Sequence, residues 1–198
     1  MAQLDFSQPP PAAALQETAS TEPASPRHLL RLEVVTDTRR IVGVAHHATV
    51  VRPVDMLNWT TEALALADIE VWPLESQTRA PDRWPQGHVS KQTIILVIPQ
   101  EVAPPAPGAN RRPLEHVEKR RWPVSILLPR FIVTGYFHLS SAADPGNASL
   151  FWNAGFVPLT DAEAVYLPDP AMTCKAPVII VNSARVEAYC PAAPLADE

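Results

Sequence analysis

The stretch ALALADIEVWPL (residues 63–74) alternates apolar with polar positions, the signature of a strand that buries one face. FVPLTDAEAVYL (residues 156–167) writes the same phrase again. With Trp59 set against Trp152, the residues Leu64, Leu66, Asp68, Glu70, Trp72 and Leu74 fall on Val157, Leu159, Asp161, Glu163, Val165 and Leu167. Two segments with one pattern and shared acidic positions predict a duplicated β module. Each copy is too small to be very stable alone, so each is expected to cover apolar surface of the other.

Working outward from the first copy, HLLRLEVVTDTRRIVGVAHH (28–47) predicts two strands around the polar turn TDTRR. RPVDMLNWTTEALA (52–65) predicts one short helix or an irregular turn. ESQTRAPDRWPQGHVSK (75–91), rich in Pro, Gly and charge, reads as a long exposed hairpin loop. IILVI (94–98) is a run of β-formers expected to be buried on both faces or packed at a subunit contact. The second copy follows the same order. WPVSILLPRFIVTGYFHL (122–139) supplies two β-rich runs divided at Pro129 and Arg130, and SSAADPGNASLFWNAG (140–155) is the polar turn region. After the alternating strand, PDPAMTCKAP (168–177) reads as a shorter loop and VIIVNSARVEAY (178–189) closes the copy. In this register VIIV (178–181) matches IILV (94–97), and the length difference between copies falls in the Pro-rich loop.

Residues 1–27 are dominated by Pro, Ala, Ser, Thr and Gln without a period of two or 3.6, so they are expected to form a disordered tail. The first repeat is expected to span 28–103 and the second 117–192. A stiff Pro-rich linker at 104–116 joins them, and a short tail follows at 193–198.

Composition narrows the function. The chain has 198 residues, 46% hydrophobic and 19% charged, with 23 prolines against 6 glycines. Such a proline content predicts short elements and no long helix. The formal net charge of −5 disfavours nucleic acid as a default partner. No apolar run approaches the length of a membrane span and no signal-peptide pattern is present, so the expectation is a cytoplasmic protein without membrane insertion. Cys174 and Cys190 lack a C-x-x-C spacing, and two reduced, half-buried thiols are the expected state.

The order of bent strand pair, Gly43, the turn DMLN (55–58), alternating strand, variable loop and β-branched strand resembles the Sm-like family of small barrels. In the second copy Asn182, Ser183 and Ala184 stand where that family places the tight turn between its last two strands. The resemblance implies strongly bent five-stranded barrels that join edge to edge. The Arg-Gly or Lys-His signature of the family's RNA pocket is absent at VNSA (181–184) and IPQE (98–101), so RNA binding is not implied. The chain is also similar to uncharacterised bacterial proteins with a TD-x-x-R-I-x-G, D-x-L-N and LTDA pattern, matched here by TDTRRIVG (36–43), DMLN and LTDA (159–162).

Candidate chemistry is sparse, and no catalytic, cofactor or metal residue is assigned. His46 and His47 point to opposite faces of a strand, which prevents joint chelation. Asp68 with Glu70, and Asp161 with Glu163, have the spacing of paired carboxylates but lie on the polar face, where solvation explains them. Ser140, Ser141 and Ser183 lack a nucleophile elbow, and the Arg and Asp-x-Ser motifs of cyclic-dinucleotide-binding PilZ barrels are missing as a set. Trp59 and Trp152 suit either a carbohydrate platform or a core. One basic cluster stands out in an acidic chain. Arg111, Arg112, Lys119, Arg120 and Arg121 surround Trp122, a set suited to phosphate, a stacked base or an acidic partner.

The sequence therefore predicts an all-β, non-enzymatic protein of two tandem Sm-like barrels. Its expected role is a scaffold or adaptor that pairs with itself or a protein partner through open strand edges near 94–98 or 178–181. The alternative is RNA or nucleotide binding through the basic joint.

Overall fold

Alternation in the sequence becomes antiparallel pairing in the computed structural model, which describes residues 28–47, 52–75, 80–100, 119–140, 146 and 155–191. The first half contains β1 (His28–Thr36), β2 (Arg39–His47), a single helical turn α1 (Pro53–Leu57), β3 (Ala63–Pro73), β4 (Asp82–Ser90) and β5 (Ile94–Pro99). The second contains β6 (Lys119–Leu128), β7 (Phe131–Ser140), β8 (Phe156–Tyr166), β9 (Thr173–Asn182) and β10 (Ala188–Pro191). All ten strands lie in one sheet ordered β10-β6-β7-β8-β9-β5-β1-β2-β3-β4. Among the described residues the sheet is open, and no strand pairing closes either half into a barrel of its own. The expected tails, the 104–116 linker, Arg111, Arg112 and Trp152 lie outside the described residues.

The strand order of each half is the same: β5-β1-β2-β3-β4 is repeated as β10-β6-β7-β8-β9. The repeat extends to backbone detail. The ladder between β2 and β3 slips between Val42 and Val44, and that between β7 and β8 slips between Thr134 and Tyr136. Opposite each slip is an aspartate in the left-handed region, Asp68 at φ 48° and Asp161 at φ 47°. Asp enters this conformation more readily than most residues other than glycine. The skipped residue is a glycine in both halves, since a Cβ on Gly43 would sit 3.1 Å from Leu66 Cβ and one on Gly135 would sit 3.0 Å from Ala162 Cβ. A bulge of this kind bends the sheet.

Two sequence expectations are corrected here. DRWPQGHVS (82–90) is not loop but strand β4, and Thr173 to Pro177 belong to strand β9 rather than to the shorter loop expected at 168–177. Pro85 and Pro177 occupy the position opposite Asp68 and Asp161, where neither ladder makes a pair, so the missing N–H costs nothing. The second correction concerns register. Because β4 corresponds to β9 and β5 to β10, residues 178–181 match 86–89, and Ile94–Pro99 match 186–191. Pro99 and Pro191 end the corresponding strands, and the turns Lys91–Thr93 and Ser183–Arg185 correspond as well.

Two clusters form the core, and each crosses between halves. The second-half cluster of Ile126, Leu128, Val133, Leu159 and Ile179 takes in Val35, Leu74, Ile95, Leu96 and Ile98 from the first. The first-half cluster of Leu32, Val34, Leu57, Leu66 and Val97 takes in Phe156 and Ile180 from the second. Ile94, Ile95, Leu96 and Val97 are fully buried, as the apolar run predicts. Each such side chain contributes roughly 1.5–3 kcal/mol relative to exposure.

Candidate assembly interface

The elements that a binding role needs are strand edges, and the fold decides which are free. The edges near 94–98 and 178–181, expected to be open, are used inside the chain: β5 pairs antiparallel with β9, Leu96 opposite Val181 and Val97 opposite Ile180. Strand order therefore leaves β4 at one end of the sheet and β10 at the other.

Polar groups clasp the internal junction on both sides. The Asn182 amide donates to the carbonyls of Lys91 (3.1 Å) and Ile94 (2.9 Å). Asn58, which caps the C-terminal end of α1, reaches across to pair with a peptide of β8: its Nδ2 donates to Phe156 O at 2.9 Å and its Oδ1 accepts from Phe156 N at 2.7 Å. Arg185 bonds Asp37 at 2.5 Å, and Arg130 bonds Glu75 at 2.6 Å and the Tyr166 hydroxyl at 2.9 Å. Arg130 holds φ 74° as the second residue of the two-residue turn Pro129-Arg130, which suits a proline-led turn that needs positive φ at its second position. Lys91 is buried, its ammonium donating to Trp59 O (3.0 Å) and Thr61 Oγ1 (3.2 Å), and desolvation lowers its pKa from the usual 10.5.

The two end strands look different. On β4, residues 82–86 are exposed, and Trp84 is 53% exposed. A cleft of about 430 Å³ opens beside this edge, lined by Ile41, Ile69, Trp84, His88 and Val89 among others. On β10, Ala188 and Cys190 are exposed and Tyr189 is half-buried. Both cysteines are free thiols, Cys174 half-buried and Cys190 exposed. Burial, then the nearby Glu33 carboxylate, pushes the Cys174 thiol pKa up, against the pull of Arg40.

The basic cluster does not converge. Lys119, Arg120 and Arg121 open β6 as exposed residues, and alternation sends Arg120 to the face opposite Lys119 and Arg121. Arg121 is engaged: it bonds the Asp161 carboxylate and lies over the Tyr136 ring, 4.2 Å from its centroid. Trp122 is half-buried beside them. His138 Nε2 meets Thr160 Oγ1 at 2.8 Å, and its pKa is lowered from 6.5 by desolvation first and then by the Arg121 and Lys119 cations.

The carboxylates with the spacing of a pair, read from the sequence as solvated, flank the bulge, which breaks the alternation at Asp68 and Asp161. Glu70 bonds Arg83 at 3.0 Å, and Glu163 bonds Lys175 at 3.5 Å. Trp59 is 42% exposed and lies against His47, ring centroids 4.5 Å apart. Among the described residues no three His, Cys, Asp or Glu side chains converge on a metal position, and no helix is long and apolar enough to cross a membrane.

Sequence reading named Gly43 but missed its counterpart Gly135, the proline pair Pro85 and Pro177, and the Asn58 clasp. The glycines and prolines were findable once the halves were aligned in the right register, whereas Asn58 carries no local signal of its distant partner. Comparison with protein-family models, with curated proteins and with solved structures found no match for this chain.

Proposed function

We propose that the chain is a non-catalytic scaffold or adaptor that assembles through its two end strands, β4 and β10, with itself or with a protein partner. Each half would be a small, bent module of Sm-like kind. The supporting observation is the internal junction. It joins the last strand of one half to the fourth strand of the other, and leaves one edge of β4 and one edge of β10 without a strand beside it among the described residues. An exposed edge offers main-chain donors and acceptors to a further strand. Light scattering with chromatography over a range of concentrations, together with affinity recovery, tests this. A species larger than one chain, or a stoichiometric partner lost on changing β4 or β10, is expected. A monomer at every concentration with nothing recovered overturns the proposal.

A second reading, RNA or nucleotide binding, draws on Lys119 and Arg120, whose exposed charges have no ion-pair partner among the described residues. Retention of RNA that falls with salt and vanishes on replacing both would favour it. No retention at low salt removes it.

A further inference from the structure

The seam between the halves holds a cavity that edge assembly does not use. It measures about 130 Å³ and is lined by Leu74, Leu96 and Ile98 from the first half and by Phe131, Tyr166 and Met172 from the second, among others. We infer that this cavity binds a small uncharged molecule, a single aromatic ring carrying one hydroxyl, with the ring among the apolar side chains and the hydroxyl donating to Glu33.

The strands put a polar group in this apolar wall. β1 is covered on both faces: Leu32 and Val34 belong to the first-half cluster, while Val35 joins Leu96 and Ile98 of β5 in the second-half cluster. Glu33 stands opposite Ile98, two residues before Val35, and so shares the face of Val35. Its carboxylate lines the cavity with the side chain only 12% exposed, a place where a charge needs partners. Arg40 Nε donates to Oε1 at 2.6 Å, Arg40 Nη2 donates to Oε2 at 3.0 Å, and Gln100 Nε2 donates to Oε2 at 2.6 Å. Oε2 thus accepts two bonds and Oε1 one. A carboxylate oxygen can accept two, so Oε1 keeps capacity for one more donor.

Three features set the chemical class. Size comes first: an enclosed apolar cavity of about 150 Å³ accepts benzene, and this one, nearly as large and open on one side, suits a six-membered ring. The aromatic lining comes second. Phe131 and Tyr166 lie with ring centroids 5.2 Å apart and planes tilted by 47°, a pair that takes a third ring against a face or an edge. Charge comes third. Glu33 and Arg40 neutralise each other, so an ion of either sign would lose its hydration without gaining a counter-charge.

The Cys174 thiol lines the same cavity and reports on its occupancy. It is half-buried, and burial raises its pKa, so at neutral pH it is an uncharged thiol that alkylates slowly. Alkylation of the natural chain by iodoacetamide, with Cys174 and Cys190 read separately by peptide mass spectrometry, tests the inference. The cavity lies inside one chain, so the result is independent of assembly. Phenol is expected to slow labelling of Cys174 and to leave the exposed Cys190 unchanged. At ten times its dissociation constant only about one site in eleven is empty, so the slowing is about tenfold. A purely apolar cavity would rank toluene above phenol, whereas a hydrogen bond to Glu33 ranks phenol first. Benzoate is expected to give no protection. Ala164→Val narrows the cavity and should abolish protection by phenol while circular dichroism shows the sheet intact; if that variant does not fold, the ranking of the three probes on the natural chain decides. No protection by any probe, equal protection of both thiols, or protection that survives in folded Ala164→Val overturns the inference. Toluene or benzoate ranking first overturns the assigned class of ligand.

Discussion

Asn58 and Gly155 form a two-residue test of how the halves are joined. The Asn58 carboxamide satisfies both the N–H and the C=O of Phe156, at 2.7 and 2.9 Å, and Phe156 is buried in the first-half cluster. Truncation to Ala removes two hydrogen bonds of about 1 kcal/mol each and strands two backbone groups, so Asn58→Ala is expected to cost about 2–3 kcal/mol. Gly155 sits at φ 69°, and a Cβ there would lie 2.6 Å from Asn58 Oδ1. Gly155→Ala should therefore cost about 1–2 kcal/mol for the left-handed backbone, plus the clasp it pushes aside. In the Asn58→Ala background the second part has already gone. The double variant is expected to be less destabilised than the sum of the singles by about 2 kcal/mol. Urea unfolding followed by tryptophan fluorescence and circular dichroism, at concentrations where scattering shows monomer, measures all four corners of the cycle. Additivity within about 0.5 kcal/mol, or an Asn58→Ala cost below that value, would refute the clasp.

Two further outcomes follow from the same structure. Leu96→Ala empties a fully buried site where β5 meets β9, and is expected to cost about 2–5 kcal/mol in the same urea assay. Ile132→Ala, at a position 37% exposed, should cost far less. The lowered pKa of His138 means that the unfolded chain binds its proton more readily than the folded one. Its destabilising effect is absent well above pH 6.5, grows as pH falls below that value, and is complete below the lowered folded pKa. His138→Gln is therefore expected to flatten the loss of urea stability between pH 7.5 and pH 5, and an unchanged slope would rule out this residue as its source.

What the sequence by itself determined is the duplicated alternating strand and the all-β class. Alternation is local: apolar residues at every second position on either side of Asp68 and of Asp161, with Asp68 matched by Asp161 and Glu70 by Glu163, survive in the chain as readable text. The burial of residues 94–98 was legible for the same reason, because a continuous apolar, mostly β-branched run suits a strand covered on both faces, within the chain or at a contact with another. Strands β4 and β9 were not legible. Their Pro, Gly and charged residues mimic a loop, and only the partner strand shows that Pro85 and Pro177 fall where no hydrogen bond is missing.

That misreading carried into the register of the last strands and into the choice of open edges. Which edge meets which is a long-range property: β5 and β9 pair across more than eighty residues of chain, and neither strand encodes its partner locally. Tertiary structure alone decided that the most apolar edges are spent inside the molecule and that β4 and β10 remain. The physical reason is that hydrophobic pattern fixes which face of a strand is covered, whereas the edge a strand presents depends on the competition among all the strands available to pair with it.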